Sequence, residues 1–339
     1  MVIQANKGSD DLRGVVAIGA SAGGVEALSN LAAGLSPDLP YAYLMVLHMP
    51  AGAPSILARI VDRKGPLPAV TAEDGASLLP GHIYVARPNR HLLVEDHRLV
   101  VSQGPTENGH RPAINALFRS AALAFGPRAI GVLLSGVLDD GVLGLAAIRS
   151  RGGTTIGQSP DDALFSAMPT NARDAGVVEQ QAAAADMGEV LRKLSHREIE
   201  ELDMEPDAAM EVENRIAMAS HFATDFDTQE LGPASGYTCP DCKGSLVSLD
   251  GGSFRCRVGH AWTRDALLAA RDDEVENALW VALRSLQEKA KLARQLADTV
   301  DHGLLFQRYV SLAEEAERAL SVLSQRLAAS GPRRGDAGG

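Results

Sequence analysis

Residues 14–24 read GVVAIGASAGG, and this stretch decides how the rest of the chain is read. Gly14–Ala20 is a continuous apolar run rich in β-branched residues, the pattern of a strand buried on both faces. Val25–Leu35 then has the periodicity of a helix, so Gly19–Gly24 is a strand-to-helix turn. The turn contains G-x-S-x-G at Gly19, Ser21 and Gly23. In that context small residues permit a sharp bend that lifts the Ser21 hydroxyl above the sheet, with the N–H groups of a helix start behind it. Two other readings stay open on the turn alone: Ser21 as a simple helix N-cap, and a degenerate dinucleotide fingerprint with its middle glycine replaced. A phosphate-cradling P-loop is excluded, because no G-K-[ST] follows.

Working outward, strand-like and helix-like segments alternate. Tyr41–Leu47 (YAYLMVL) is a second buried strand and Pro54–Val61 a helix. Ile83–Ala86, His91–Val94 and Leu99–Ser102 are short strands separated by turns at Pro88-Asn89 and Glu95-Asp96. Pro112–Phe125 is a helix with proline at its start. Ala129–Leu134 is a buried strand, Gly141–Ser150 a helix and Thr154–Gly157 a late strand. The pattern predicts an α/β fold, doubly wound around a mostly parallel sheet.

In such a sheet the C-terminal ends of neighbouring strands converge on one crevice. The second strand ends at His48, where a dinucleotide site would need an acidic residue. The strand at 129–134 runs into Ser135-Gly-Val-Leu-Asp139-Asp140-Gly141. A serine nucleophile needs a base and a group to orient it. Ser21, His48 and one of Asp139 and Asp140 would reach the same rim, although a lone histidine at a strand end is more often structural.

The set GASAGG, then VLHMP, then LSGVLDDGVLGL resembles the catalytic domain of the chemotaxis protein-glutamate methylesterases, the CheB family. YVARPNRHLLVE, GPTENGHRPAINALFRSAA and QSPDDALFSAMPTNA resemble it too, in the right order, over roughly residues 13–194. The resemblance implies Ser21 as nucleophile, His48 as base and Asp140 as orienting carboxylate. Asp139 stands where the family usually has asparagine. Val137 stands where it usually has methionine, a position whose backbone N–H serves the oxyanion hole. His110-Arg111 resembles the segment bordering the family's cleft. The implied reaction is hydrolysis of glutamyl methyl esters on methyl-accepting chemoreceptors, with deamidation of glutamines as a side activity and no catalytic cofactor. Many members carry an N-terminal receiver of about 120 residues. With the first strand at residue 14, the expectation is an esterase that is not switched by phosphorylation in cis: either it is constitutive, or a separate regulatory protein or its own C-terminal part controls it.

The remaining residues form other units. The 339-residue chain is 45 % hydrophobic and 22 % charged, with a net charge of −11. No apolar run reaches 18 residues and the N-terminus lacks an apolar signal region, so a cytoplasmic protein without membrane insertion is expected. Residues 1–185 hold 14 Lys/Arg against 16 Asp/Glu, residues 186–235 hold 4 against 13, and residues 236–339 hold 14 against 14. The acidity therefore sits in the middle and argues against nucleic-acid binding. The expected organisation is a tail (1–13), the esterase domain (14–194), an acidic linker (195–235) with one helical turn around Ala208–Ala219, a zinc-ribbon-like unit (236–263), a helical hairpin (264–330) split by Gly303, and a disordered tail (331–339).

All three cysteines fall in the zinc-ribbon-like stretch. Cys239-x2-Cys242-x13-Cys256-x3-His260 has the spacing of a Cys3His zinc site. Four ligands close the shell, so a structural Zn2+ is expected, with knuckle turns at Gly244 and Gly259. Sparse cysteines without a disulfide framework also fit a reducing compartment. The leucine stripes of the hairpin suit docking, a homo-oligomer contact or packing on the esterase domain. The alternative to an esterase is a non-catalytic signalling scaffold acting through the ribbon and helices.

Overall fold

Gly14–Ala20 forms strand β1, buried at every residue. The structure is a computed structural model that describes residues 12–199, 205–218, 232–249 and 252–329. The expected tails at 1–13 and 331–339, and linker residues 200–204 and 219–231, fall wholly or largely outside the described residues. After β1 come α1 (Gly24–Ala33), β2 (Tyr41–Leu47), α2 (Leu57–Lys64), β3 (Ala69–Thr71), β4 (Ile83–Val85), and the β5 (His91–Glu95) and β6 (Arg98–Ser102) hairpin. Then follow α3 (Ile114–Phe125), β7 (Ala129–Leu133), α4 (Val142–Ser150), β8 (Thr154–Gln158), α5 (Ala167–Asp174), β9 (Gln180–Ala182) and α6 (Met187–Leu194).

The main sheet has seven strands in the order β3-β4-β2-β1-β7-β8-β9, and every pairing is parallel. Alternation along β1 feeds two cores. Val16, Ile18 and Ala20 pack with α1, α2 and α6 on one face, while Val15 and Ala17 pack with α3 and α4 on the other. This is the doubly wound α/β fold. The chain moves outward from β1 through β2 on one side and through β7 on the other. The crevice between the C-terminal ends of β1 and β7 is thus the topological switch point, where such sheets place their sites.

Two edge strands and two helices go beyond the sequence reading. Ala69–Thr71 and Gln180–Ala182 are three-residue edges; the second, QQA, carries no apolar run. Helices α5 and α6 are eight residues each, too short for a clear helical period.

The expected linker is not all connector. Arg197 reaches back to the Pro127 carbonyl. Ala208–Met218 forms α7, eleven residues long, with Ile216 and Ala217 buried. Ala217 packs with Leu93, Ala113 and Ala116, and the Ser102 hydroxyl donates to its carbonyl. Acidic residues here serve as ion-pair partners as well as solvated charge: Glu213 pairs with Arg119 of α3 at 3.2 Å.

A second, antiparallel sheet follows in the order β10 (Ala234–Thr238), β11 (Ser245–Ser248), β12 (Phe254–Cys256) and β13 (Ala261–Trp262). Two long helices end the described chain, α8 (Arg264–Asp298) and α9 (Leu304–Ala329), with Gly303 between them. Arg294 and Glu317 pair between these helices at 2.8 Å. The chain divides into two compact units between Leu267 and Leu268. The small sheet belongs to the same unit as the large one, where the sequence reading set it apart.

Close packing at the switch point gives a stability prediction. A Cβ at Gly19 would collide with the Ile114 side chain at the start of α3. Gly19→Ala should therefore destabilise the protein by about 1–3 kcal/mol, the usual cost of overpacking. Urea unfolding measures it, and an unchanged midpoint would contradict this account of the β1–α3 contact.

Candidate active site

Three strand ends meet at the switch point. Ser21 follows β1, His48 follows β2, and Asp140 lies in the loop after β7. Main-chain bonds fix their relative heights: the His48 N–H donates to Ala20 O (3.1 Å), Leu134 N–H to Gly19 O (2.8 Å) and Ser21 N–H to Ser135 O (2.9 Å). Gly23 takes the left-handed conformation (φ 72°) that turns the chain sharply from Ser21 into α1. The Ser135 hydroxyl donates to Ala22 O at 2.8 Å and accepts from Phe165 N–H at 3.0 Å, tying the loop after β7 to the serine turn.

The side chains form one hydrogen-bonded line. Ser21 Oγ lies 3.2 Å from His48 Nδ1, and His48 Nε2 lies 2.7 Å from Asp140 Oδ2. Asp140 Oδ2 also accepts from Ile114 N–H at 2.8 Å, and its Oδ1 from Asn115 N–H at 3.3 Å. With a carboxylate on Nε2, that nitrogen carries the proton and Nδ1 is left to accept from the serine hydroxyl. The His48 and Asp140 side chains are only 6 % and 4 % exposed. Burial opposes the Asp140 charge, but the His48 bond, the nearby imidazoles and the Ile114 N–H hold its pKa below the ordinary carboxylate value.

Of the residues singled out from sequence, Ser21, His48 and Asp140 are brought together, and Asp139 is turned away. Its Oδ1 instead accepts from the Thr263 hydroxyl at 2.8 Å. His110 stacks on His48, with ring centroids 3.7 Å apart and planes 11° from parallel. Burial, then the neighbouring His48, pushes the His110 pKa down to about 4, so its ring is neutral near pH 7. Arg111 donates to Asn89 Oδ1 and the Gly104 carbonyl. Val137 is exposed, but Gly136 beside it lies against Ser21: a Cβ there would come within 2.9 Å of Ser21 Cβ.

Two clefts open at Ser21. One, of about 500 Å³, is mainly apolar and lined by Val25, Leu47, Met49 and Ile56 among others. The other, of about 440 Å³, is more polar, with Asn89, Thr106, His110 and Arg111 in its wall. Sequence reasoning missed Asn115, whose Oδ1 accepts from Gly141 N–H (2.9 Å) and Gly144 N–H (2.7 Å) and so caps α4 from a neighbouring helix. A polar residue at the otherwise apolar start of PAINALF was the available signal.

The Cys/His array also closes in space. Cys239, Cys242, Cys256 and His260 bring their ligand atoms within 4.8 Å of one another. Cys242 Sγ lies 3.6 Å from Cys256 Sγ. His260 Nδ1 lies 3.6 Å from Cys239 Sγ and 3.5 Å from Cys256 Sγ. Zinc bond lengths of about 2.3 Å to sulfur and 2.0 Å to nitrogen make tetrahedral edges of about 3.5–3.8 Å, so the donor set fits that ion. One detail differs from expectation. In the first knuckle the left-handed residue is Lys243 (φ 60°), not Gly244, whereas Gly259 does take it (φ 102°). Closing the bond from Lys243 N–H to Cys239 O (2.8 Å) demands the turn one residue earlier.

Asp139 generates a pH prediction. Burial is the main cause raising its pKa from 3.8 to about 6; Asp140 and Asp265 add to the rise and the Thr263 bond opposes it. The native carboxyl thus holds its proton more tightly than the unfolded chain does. Stability from this group falls as pH climbs from about 4 to about 6 and is level above that. Asp139→Asn keeps an acceptor for Thr263 and should flatten that part of the profile. Urea midpoints between pH 4.5 and 7.5 test it, and an unaltered slope would contradict the assignment.

The same stretch of chain is matched by known proteins. The family described as CheB methylesterase matches residues 16–191, just over half of the chain. A protein of Bradyrhizobium diazoefficiens named "Protein-glutamate methylesterase/protein-glutamine glutaminase of group 3 operon" is 39% identical over 170 residues, covering 49% of this chain and 47% of its own length. One of Anaeromyxobacter dehalogenans, named "Protein-glutamate methylesterase/protein-glutamine glutaminase 3", is 42% identical over 167 residues, 49% of either chain. The chain spans about half the length of the curated relatives it matches. The crystal structure of the Thermotoga maritima CheB methylesterase catalytic domain superposes with a TM-score of 0.51 at 28% identity, covering 53% of this chain and 98% of that one. With a doubly wound sheet whose switch point carries the Ser21–His48–Asp140 line, the chain belongs to the CheB methylesterase family.

Proposed function

We propose that this protein is a serine esterase that hydrolyses glutamyl methyl esters on methyl-accepting chemoreceptors, with glutamine deamidation open to the same site. The reading is carried by the hydrogen-bonded line from Ser21 through His48 to Asp140. The names of its relatives and the apolar and polar clefts flanking Ser21 support it. Ser21 Oγ attacks the ester carbonyl carbon as His48 Nδ1 takes its proton. Asp140 fixes the imidazole and stabilises the imidazolium that forms. His48 returns the proton to the departing methoxide, which leaves as methanol. Water, deprotonated by His48, then attacks the acyl-serine; His48 returns that proton to Ser21 Oγ as the acyl bond breaks, leaving a glutamate side chain on the receptor. The donors for the oxyanion in this reading are the Val137 N–H and N–H groups at the start of α1 other than that of Gly24, which donates to Ser21 O; each such donor is worth about 3–4 kcal/mol in serine hydrolases.

The Cys239, Cys242, Cys256 and His260 cluster holds a structural Zn2+ in this reading, with no step of the reaction routed through it. Four protein ligands leave no open position. The metal supplies the folding energy that so small a sheet lacks. Three cysteines outside any disulfide fit a reducing compartment, and so action on the cytoplasmic side of the receptors.

Ser21→Ala should lower methanol release from methylated receptors by at least about 10³-fold. A fluorophosphonate probe should label Ser21 in the folded protein, whereas a scaffold that had merely kept the fold would stay unlabelled. Metal analysis should return one zinc per chain, lost on combining Cys239→Ser with Cys256→Ser. Methanol release untouched by Ser21→Ala would sink the esterase reading.

A further inference from the structure

The Cys/His unit is joined to the esterase at the segment that carries His110. Ala261 of β13 accepts from Asn108 N–H at 2.8 Å and donates to Thr106 O at 3.1 Å. Thr263 N–H donates to Asn108 Oδ1 at 2.8 Å, and its hydroxyl reaches Asp139, the neighbour of Asp140. The Trp262 ring lies under the turn at Gly109, in ordinary contact distance of a Cβ built there. Residues 106–110 are therefore held by β13 on one side, and on the other they present His110 flat against His48.

The attachment is not a loose surface contact. Arg255 of β12 is fully buried and pairs with Glu107 at 3.9 Å and with Glu213 of α7 at 3.6 Å. Glu107 and Glu213 also pair with Arg119 of α3. Pulling the unit away would break both Arg255 ion pairs at once and open the buried Glu107–Arg119 pair to water. Cys256 ends β12, and His260 immediately precedes β13. The proposed metal ligands thus bracket the turn between the two strands that make these contacts.

We propose that the metal-bound unit is a positioning element of the esterase: zinc fixes β13, β13 fixes residues 106–110, and His110 then holds the His48 ring in line between Ser21 and Asp140. Thr263 is the positioning residue that links the unit to the loop after β7. This rests on both the esterase and the zinc readings above. A small misplacement of a catalytic base costs up to about 10²-fold in rate, so loss of the metal acts on the reaction without any ligand of the metal touching substrate.

The experiment uses the full chain, zinc-loaded, zinc-stripped by a chelator, and zinc-restored. Turnover of p-nitrophenyl acetate is measured together with amide hydrogen exchange across residues 106–111. Stripping should lower kcat at least about tenfold, leave KM for this small ester within about twofold, and speed exchange in that segment, with zinc reversing all three. Thr263→Val should keep one zinc per chain yet lower kcat about threefold or more, whereas Thr263→Ser, which keeps the hydroxyl, should stay near wild type. Because Thr263→Val retains the metal, its loss of rate is not collapse of the small sheet. Zinc that comes and goes with kcat and exchange unchanged, or Thr263→Val at wild-type kcat, overturns the coupling and leaves the other two readings standing. A zinc-loaded chain without Ser21-dependent turnover overturns the esterase reading, failure to bind zinc overturns the metal reading, and either removes this inference with it.

Discussion

The Asp140 carboxylate is the point on which the rest of the site depends. It is buried, yet it stays charged because three groups donate to its two oxygens: the His48 ring and, at the partly positive start of α3, the Ile114 and Asn115 N–H groups. An isolated carboxylate so deep would be protonated. One group thereby ties the end of β2, the loop after β7 and the start of α3 into a single arrangement. The charge also settles the tautomer of His48, and through it the acceptor nitrogen that faces Ser21.

That arrangement needs a rigid frame, and the sheet supplies it. Seven parallel strands with two cores leave the strand ends at the switch point little freedom. Ser135 and Asn115 then lock the connections: Ser135 pins the loop after β7 to the serine turn, and the Asn115 side chain caps α4 beyond Asp140. Both are buried polar residues with their hydrogen bonds made, which is how such residues add specificity at little cost. The small residues of GASAGG are explained by the same crowding. Gly19 lies against Ile114 and Gly23 makes the turn, so the loop's composition serves packing as much as chemistry.

The strands of the large sheet were legible because a strand buried on both faces leaves an unbroken apolar run, as in GVVAIGA, YAYLMVL and AIGVLL. The edges were not. QQA at 180–182 gains its place from β8 beside it, and such pairing leaves no mark in local composition. Ser21 and His48 could be picked out because each follows a readable strand, whereas Asp140 rather than Asp139 came from the family resemblance. The distances between the three depend on contacts between residues 27 and 92 positions apart, and the capture of Asp139 by Thr263 on one 124 positions apart. The Cys/His spacing was equally legible, but its attachment to the esterase was not. Asn108, Arg255 and Thr263 look like ordinary polar residues until the fold brings them together. The acidic segment shows the same limit: charge pattern suggested a connector, whereas Glu213 and Ala217 are parts of a packed helix.

The central claim is that Ser21, His48 and Asp140 act as one unit. Its most direct test is a double-mutant cycle on hydrolysis of a receptor-derived glutamyl methyl ester, comparing Ser21→Ala, His48→Ala and the two combined. A linked unit predicts that the double substitution loses no more rate than the worse single one, because either change alone already disables the whole line. Losses that multiply would show the two side chains contributing independently, and would contradict the account.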